Sequence, residues 1–289
     1  MLVTGAAGML GSQVLLSMPD GERAVGTDLT DAPGVDALGV DLADAQAVQR
    51  LFAEHGPFGG VIHCAAYTGV DKAEEEPELA HRVNAGACGV LAAACAAADV
   101  KLVLVSTDFV FDGQGERPYR EGDATAPLSV YGRTKLEGER EALAAHPGGV
   151  RVVRTQWLYG PRGKHFPRTI EALARERDEL QVVCDQVGSP TSTLELSPAL
   201  WDVLRRGEAG IYHAACEGSC SWYEFACAVV VLCGIETVQV LPCSTDQFPR
   251  PAPRPAYSVL DCSKLADLRE KPLAPWREAL STYLGSEQH

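Results

Sequence analysis

The chain is short of positive charge: 25 lysines and arginines face 39 acids, for a formal net charge of −14. A chain this acidic is a poor general binder of nucleic acid. Any anionic ligand it takes must be held by local groups against the overall field. It also lacks any Cys-x-x-Cys pair, although it has ten cysteines. Without paired spacing these do not describe a disulfide framework or a zinc site. Cys64, Cys88, Cys95, Cys227 and Cys233 sit in apolar runs and are expected as buried free thiols. Cys216 and Cys220 lie close together but have no second pair of ligands, so no metal is expected there. Long apolar runs are missing as well. The longest uncharged one, Ala85 to Ala98, is too short to cross a bilayer and ends at Asp99, so it predicts a helix buried in the core and no membrane. No basic, apolar leader opens the chain, which argues against a signal peptide and for a cytoplasmic location that suits reduced thiols. Repeats and low-complexity tracts are absent too. What is there, 289 residues with 46% hydrophobic and 22% charged, is ordinary for a globular protein of one large domain, with or without a smaller appendage.

Short apolar runs alternate with helical patterns through the first half. The runs predict strands at Leu2 to Thr4, Ala24 to Thr27, Val61 to Cys64, Leu102 to Ser106 and Val150 to Thr155. Helices are predicted at Leu10 to Ser17, Ala45 to His55, Glu78 to Ala98 and Tyr131 to Ala145. This rhythm implies α/β architecture, a doubly wound parallel sheet with helices on both faces. In the second half Ser221-Trp-Tyr-Glu224 has capping-box spacing and opens a helix to about Cys233. Prolines thicken from Pro242 to Pro255, predicting an ordered loop or lobe connection without helix or central strand. Pro275 to Tyr283 predicts a short helix.

Gly5-Ala-Ala-Gly8-Met9-Leu10-Gly11 follows the first strand and opens the first helix. A dinucleotide pyrophosphate needs glycine there, for a tight turn and for close approach to main-chain N–H groups at a helix start. A lone glycine triplet is weak; its place at the first strand-to-helix junction strengthens it. Asp28 ends the second strand, 20 residues beyond Gly8, and is placed to accept hydrogen bonds from the adenosine ribose. Its charge should repel a 2′-phosphate, so NADH is favoured over NADPH. Asp41 and Leu42 are candidates for bordering the adenine. Ala65, Ala66 and Tyr67, after the Val61 strand, offer backbone beside the cofactor.

Tyr131-Gly-Arg-Thr-Lys135 puts a phenol and an ammonium on one helical face. The pairing is expected to lower the tyrosine pKa from about 10 and to equip it for proton transfer. Such pairs also line ordinary exposed helices; the glycine loop gives this one its weight. Thr107 and Asp108 end the Leu102 strand, beyond which ligands sit in open parallel sheets. The roles then follow: hydride from a nicotinamide, a proton from Tyr131, charge and ribose binding from Lys135, and carbonyl orientation from Thr107.

Gly8-Met-Leu-Gly11, the run from Ala65 to Glu74, Ser106-Thr-Asp-Phe-Val-Phe-Asp-Gly113 and Tyr131 to Glu139 resemble the extended short-chain dehydrogenase/reductase superfamily, and within it the dTDP-4-dehydrorhamnose reductase family. Further matching stretches are Arg154 to Gly160, Asp185 to Thr191, Gly210 to His213 and Arg254 to Asp261, in the family's order over nearly the whole chain. The resemblance implies a Rossmann-like domain over residues 1–160 with a returning segment around 185–230. A smaller C-terminal substrate-binding lobe would take 161–184 and 231–289. It implies reduction of the C4 ketone of dTDP-4-dehydro-L-rhamnose by NADH or NADPH. Tyr131, Lys135 and Thr107 would be catalytic, and Thr107, Asp108 and Trp157 would contact the sugar. Arg254 is a candidate for the nucleotide's diphosphate. Gln156 stands where serine is usual, and Gly69 where alanine is common, which leaves the hexose open. Some members dimerise through an acid-bound magnesium, so a homodimer is one expectation. Gln13 occupies one of the acid positions although Glu195 matches another, so no metal is expected. Two other readings stand beside this: a reductase of another dTDP-4-keto-6-deoxyhexose, like dihydrostreptose synthase, and a non-catalytic regulatory subunit of the methionine adenosyltransferase type.

Overall fold

The computed structural model describes residues 1–287; the last two residues of the expected C-terminal lobe lie outside it. The first half folds as β1 (Leu2–Thr4), α1 (Met9–Leu16), β2 (Val25–Asp28), β3 (Ala37–Leu38), α2 (Ala45–His55) and β4 (Val61–His63). It continues through α3 (Val70–Glu75), α4 (Pro77–His81), α5 (Ala87–Ala97), β5 (Leu102–Thr107), α6 (Val130–Ala145) and β6 (Val150–Thr155). Six strands and the later segment Gly210–His213 form one parallel sheet, ordered Gly210–His213, β6, β5, β4, β1, β2, β3. The predicted doubly wound parallel sheet is therefore present, and each sequence-read strand agrees to within a residue or so at its ends.

Side-chain caps fix where helices begin. Asp44 accepts from the Gln46 N–H at 2.9 Å ahead of α2, and Ser129 accepts from the Gly132 N–H at 3.1 Å ahead of α6. The predicted capping box forms: Ser221 takes the Glu224 N–H while the Glu224 carboxylate takes the Ser221 N–H, opening the helix Trp222–Leu232.

The helix expected at Glu78 to Ala98 is present as a continuous 21-residue helical stretch, Pro77–Ala97, whose middle turn, Arg82–Gly86, is π-helical; only the expectation that it is too short to cross a bilayer is corrected. Its length and composition alone would suit a membrane span. It packs as a core helix, however, with Cys88, Leu91, Ala92 and Cys95 buried against Leu2, Val61, Leu102 and Leu104. The proline-rich segment does hold a strand, Gln239–Cys243, with Pro242 opposite Val182 of the segment Glu179–Val183. Proline is tolerated because this is a two-stranded pair, where its missing N–H can face outward. Of the cysteines expected to be buried, Cys88 and Cys95 are, whereas Cys64, Cys227 and Cys233 are only partly so; all ten are free thiols.

The sheet order reverses at β1, which lies between β2 and β4. Helices leave to opposite faces on the two sides of this point, so a crevice opens beyond the strands' carboxyl ends. The glycine loop, the end of β4 and the end of β5 all border it.

Candidate active site

A cleft of about 800 Å³ occupies this crevice. Gly5, Gly8, Met9, Leu10, Gly11, Asp28, Asp41, Leu42, Ala65 and Ala66 line it from the expected cofactor side. Thr107, Asp108, Tyr131, Lys135 and Trp157 line it from the expected reaction side. Tyr67 and Arg254 do not line it. The Tyr67 hydroxyl turns to donate to Glu76 at 2.6 Å, while its N–H donates to Asn84 Oδ1 at 2.8 Å. Arg254 makes a two-point pair with Asp71, both N–O distances 3.0 Å, and Arg250 joins the same carboxylate at 2.8 Å. Asp71 had carried no expectation, and it is this acid that draws Arg254 away.

The glycine loop is shaped for close approach. Gly5 sits at φ 67°, and a Cβ there would come within 2.7 Å of the Ala65 nitrogen. A Cβ on Gly11 would lie 2.1 Å from the Gly5 carbonyl oxygen. α1 begins at Gly8 with no side chain capping its first N–H groups, which leaves them for an anion. Asp28 braces the loop: Oδ2 accepts from the Ala7 N–H and Oδ1 from the Thr30 N–H, each at 3.0 Å. A dinucleotide fits these residues, since the cradle tolerates no side chain and the acid stands where a ribose would lie. At the adenine end Arg82 pairs with Asp41.

Tyr131 and Lys135 project from the first turns of α6 towards the end of β5. The Tyr131 ring meets Phe109 edge to face at 5.6 Å, and its phenol lies beside the Thr107 hydroxyl. Thr107 also donates to Asp108 Oδ1 at 3.0 Å. Lys135 donates to the Val105 carbonyl at 2.7 Å. The expectation that Lys135 lowers the tyrosine pKa is overturned. Burial pushes the Tyr131 phenol up to about 12, with the Asp108 carboxylate adding to the rise and Thr107 offsetting part of it. The ammonium is held on the far carbonyl, and its own pKa is lowered by burial. Burial also pushes Asp108 up to about 6, partly countered by the Ser258 and Thr107 hydroxyls. His63 is driven down to about 3 by burial and by the Lys135 charge, so it is neutral; its Nδ1 pairs with the Thr4 hydroxyl at 2.6 Å.

Beneath this group a buried ion pair fixes α6 to the sheet. Glu139, one turn beyond Lys135, receives Arg154 of β6 through contacts of 2.7, 2.9 and 3.2 Å and also accepts from the Ser106 hydroxyl. Both charged side chains are 2% exposed.

Sequence reasoning missed several lining residues. Trp222 stacks on Trp157 with centroids 3.6 Å apart and planes 10° apart. Its capping box was legible, but nothing in the sequence aimed the indole at a partner 65 positions away. Lys164 lines the cleft close to Met9, because the glycine-containing loop after Tyr159 folds over the first helix. Lys164 makes no ion pair or hydrogen bond among the described residues, unlike Arg82 and Lys135. Arg82 also lines the cleft, as does Gln156, which the sequence had already marked as a departure bearing on the hexose.

A glycine cradle, an acid after the second strand and a Thr-Tyr-Lys group around one crevice match the pattern of the short-chain dehydrogenase/reductase type. The family model for the RmlD substrate binding domain matches residues 1–288. A dTDP-4-dehydrorhamnose reductase of Mycolicibacterium smegmatis is 45% identical over 96% of this chain and 83% of its own length. The crystal structure of a dTDP-4-dehydrorhamnose reductase from Clostridium acetobutylicum superposes with a TM-score of 0.92 at 41% identity, covering 100% of this chain and 99% of that one. One from Bacillus anthracis, in complex with NADP, gives 0.91 at 35% identity over 99% and 98% of the two chains. The chain belongs to the dTDP-4-dehydrorhamnose reductase family.

Proposed function

We propose that this chain reduces the C4 ketone of dTDP-4-dehydro-L-rhamnose to give dTDP-L-rhamnose, with Tyr131 as proton donor. The observation that carries the reading is that the Tyr131 phenol, the Thr107 hydroxyl and the Lys135 ammonium line one cleft with the glycine cradle. A bound nicotinamide nucleotide supplies the hydride. Gly5, Gly8, Met9, Leu10 and Gly11 hold its pyrophosphate, and Asp28 takes the adenosine ribose hydroxyls. Asp41, Leu42, Ala65 and Ala66 border the rest, with Tyr67 contributing main chain only.

Tyr131 keeps its proton throughout the neutral range, because its pKa is raised to about 12. That suits a reductase, whose resting state needs a protonated acid rather than a free base. As the ketone oxygen gains electron density, the phenol delivers its proton there. Thr107, beside the same phenol, orients the carbonyl, and Lys135 supplies positive charge from behind and reaches the nicotinamide ribose. Trp157 gives the sugar an apolar ring face; its other face is taken by Trp222. Lys164 is the unpaired cation available to a diphosphate in this acidic chain. Arg254 reaches a diphosphate only by leaving Asp71.

NADH is the favoured cofactor, because the Asp28 carboxylate opposes a 2′-phosphate and the nearby Arg82 is already paired with Asp41. A cytoplasmic setting fits the ten free thiols. The test is to follow NADH and NADPH absorbance with a panel of dTDP-4-ketohexoses and to assign the product's stereochemistry at C4. Tight nucleotide binding with no oxidation on any ketohexose would sink the reductase reading.

A further inference from the structure

Gln156 follows the last residue of β6 and is 2% exposed. Its Oε1 accepts from the Ser189 main-chain N–H at 3.1 Å and from the Ser258 hydroxyl at 3.2 Å. A main-chain N–H only donates, so the atom facing Ser189 has to be the amide oxygen, and this fixes the orientation of the amide. Nε2 is thereby turned away from Ser189. It is buried without a hydrogen-bond partner.

Asp108 is in the same condition. Oδ1 takes the Thr107 hydroxyl, and Oδ2 is buried with no partner. The Ser258 hydroxyl neighbours both side chains, so the amide and the carboxylate lie about one side chain apart. Both residues line the cleft. A buried polar atom left without a partner is destabilising, more so when charged, so two at one place in a binding cleft mark a spot where a ligand's polar group completes them.

We infer that Gln156 and Asp108 together read one sugar hydroxyl: Nε2 donates to its oxygen while Oδ2 accepts its hydrogen. This rests on the reading of the cleft as a ketohexose-nucleotide reductase site, and it names the sugar class that the site selects. Position follows from the chain. Asp108 directly succeeds Thr107, whose hydroxyl touches the Tyr131 phenol, so the pair stands beside the ketone and away from the diphosphate. Of the two carbons flanking a C4 ketone in a 6-deoxyhexose, C5 bears the methyl carbon and C3 bears a hydroxyl. The site therefore selects 3-hydroxy over 3-deoxy sugars. Asp108 alone would only accept. Adding the amide donor makes the recognition two-sided, which a methyl or hydrogen at C3 cannot satisfy and which penalises a substrate that leaves both atoms unpaired.

The experiment compares kcat/KM for a dTDP-4-keto-6-deoxyhexose and its 3-deoxy counterpart, using the full chain, Gln156→Met and Gln156→Ser. NADH affinity is measured in each as a check on the fold. The parent should prefer the hydroxylated sugar on the order of 10²-fold. Gln156→Met should shrink that ratio about tenfold or more, mostly through loss on the hydroxylated sugar, with NADH binding unchanged. An equal fall on both sugars would make Gln156 a mere support for Ser189 and overturn the inference, as would an unchanged ratio. If Gln156→Met fails to fold, Gln156→Glu keeps the oxygen facing Ser189, removes the donor and is judged by the same ratio. A parent that reduces both sugars equally well defeats this inference alone; a parent inactive on every ketohexose nucleotide defeats the reductase reading beneath it.

Discussion

Replacing Arg154 by methionine should unfold this protein well before any other single change on β6. The guanidinium gives three short contacts to Glu139, both side chains are 2% exposed, and among the described residues the only other hydrogen bond to that carboxylate comes from Ser106. Methionine fills similar volume, so the cost is chiefly that of a stranded carboxylate. Breaking one side of a buried pair typically costs about 3–5 kcal/mol. For a chain of this size that lowers Tm by roughly 5–8 °C. The double variant Glu139→Met, Arg154→Met removes both charges and leaves only the Ser106 hydroxyl wanting, so it should return to within about 2 kcal/mol of the parent. Thermal unfolding of the four proteins followed by circular dichroism closes the cycle, with an expected coupling of about 2 kcal/mol or more. Because Glu139 stands one turn from Lys135 and two from Tyr131, turnover should fall in the single variant even below its Tm. An Arg154→Met protein destabilised by less than about 1 kcal/mol would refute the claim that this pair anchors the catalytic helix.

Tyr131→Phe should bind NADH almost as the parent does while losing on the order of 10²-fold or more in turnover, as a lost general acid does; a variant nearly as fast as the parent removes Tyr131 from the role of donor. Asp28→Asn should weaken NADH more than NADPH, measured as Kd by fluorescence, and an equal loss would leave the acid as a loop brace only. Lys164→Met should weaken diphosphate-bearing ligands by up to about tenfold at low salt, with the difference fading as ionic strength rises; comparing NADH with dTDP tells which diphosphate it serves, and no change for either excludes it. Asp108 has a folded pKa of about 6 against an unfolded value near 3.8, so the folded state holds the proton more tightly. Its contribution is present below the unfolded value and is lost as pH rises through about 6, which amounts to roughly 1–3 kcal/mol. Asp108→Asn should therefore gain stability relative to the parent as pH is raised from about 4 to 7, while losing activity. A stability difference that stays flat across this range contradicts the burial argument. The buried His63 and His213 titrate with the opposite sign in both proteins, so the difference isolates Asp108.

Local rules carry far along this chain because its elements are signalled locally. The Ala45–His55 helix begins and ends where its Asp cap and following glycine place it, and β6 matches the run from Val150 to Thr155 residue for residue. The glycine spacing, the acid after β2 and the i, i+4 phenol and ammonium were all legible, because each follows from strand–turn–helix geometry over a few residues. Arg254 and Tyr67 do not line the cleft, because each has an acid partner, Asp71 or Glu76, that captures its polar end.

The order of apolar runs, glycines and caps alone determined the parallel sheet, the crevice and the side chains aimed at it, since these follow from short-range periodicity and backbone sterics. Folding alone decided which charges are paired, which faces are covered and which atoms are left wanting. Lys135 turned its charge to a carbonyl and left Tyr131 a stronger holder of its proton. Trp222 covered one face of Trp157, and Ser189 claimed the oxygen of Gln156 and left its nitrogen without a partner. Protonation and hydrogen-bond completion depend on desolvation and on neighbours far away in sequence, and those quantities exist only once the chain is packed.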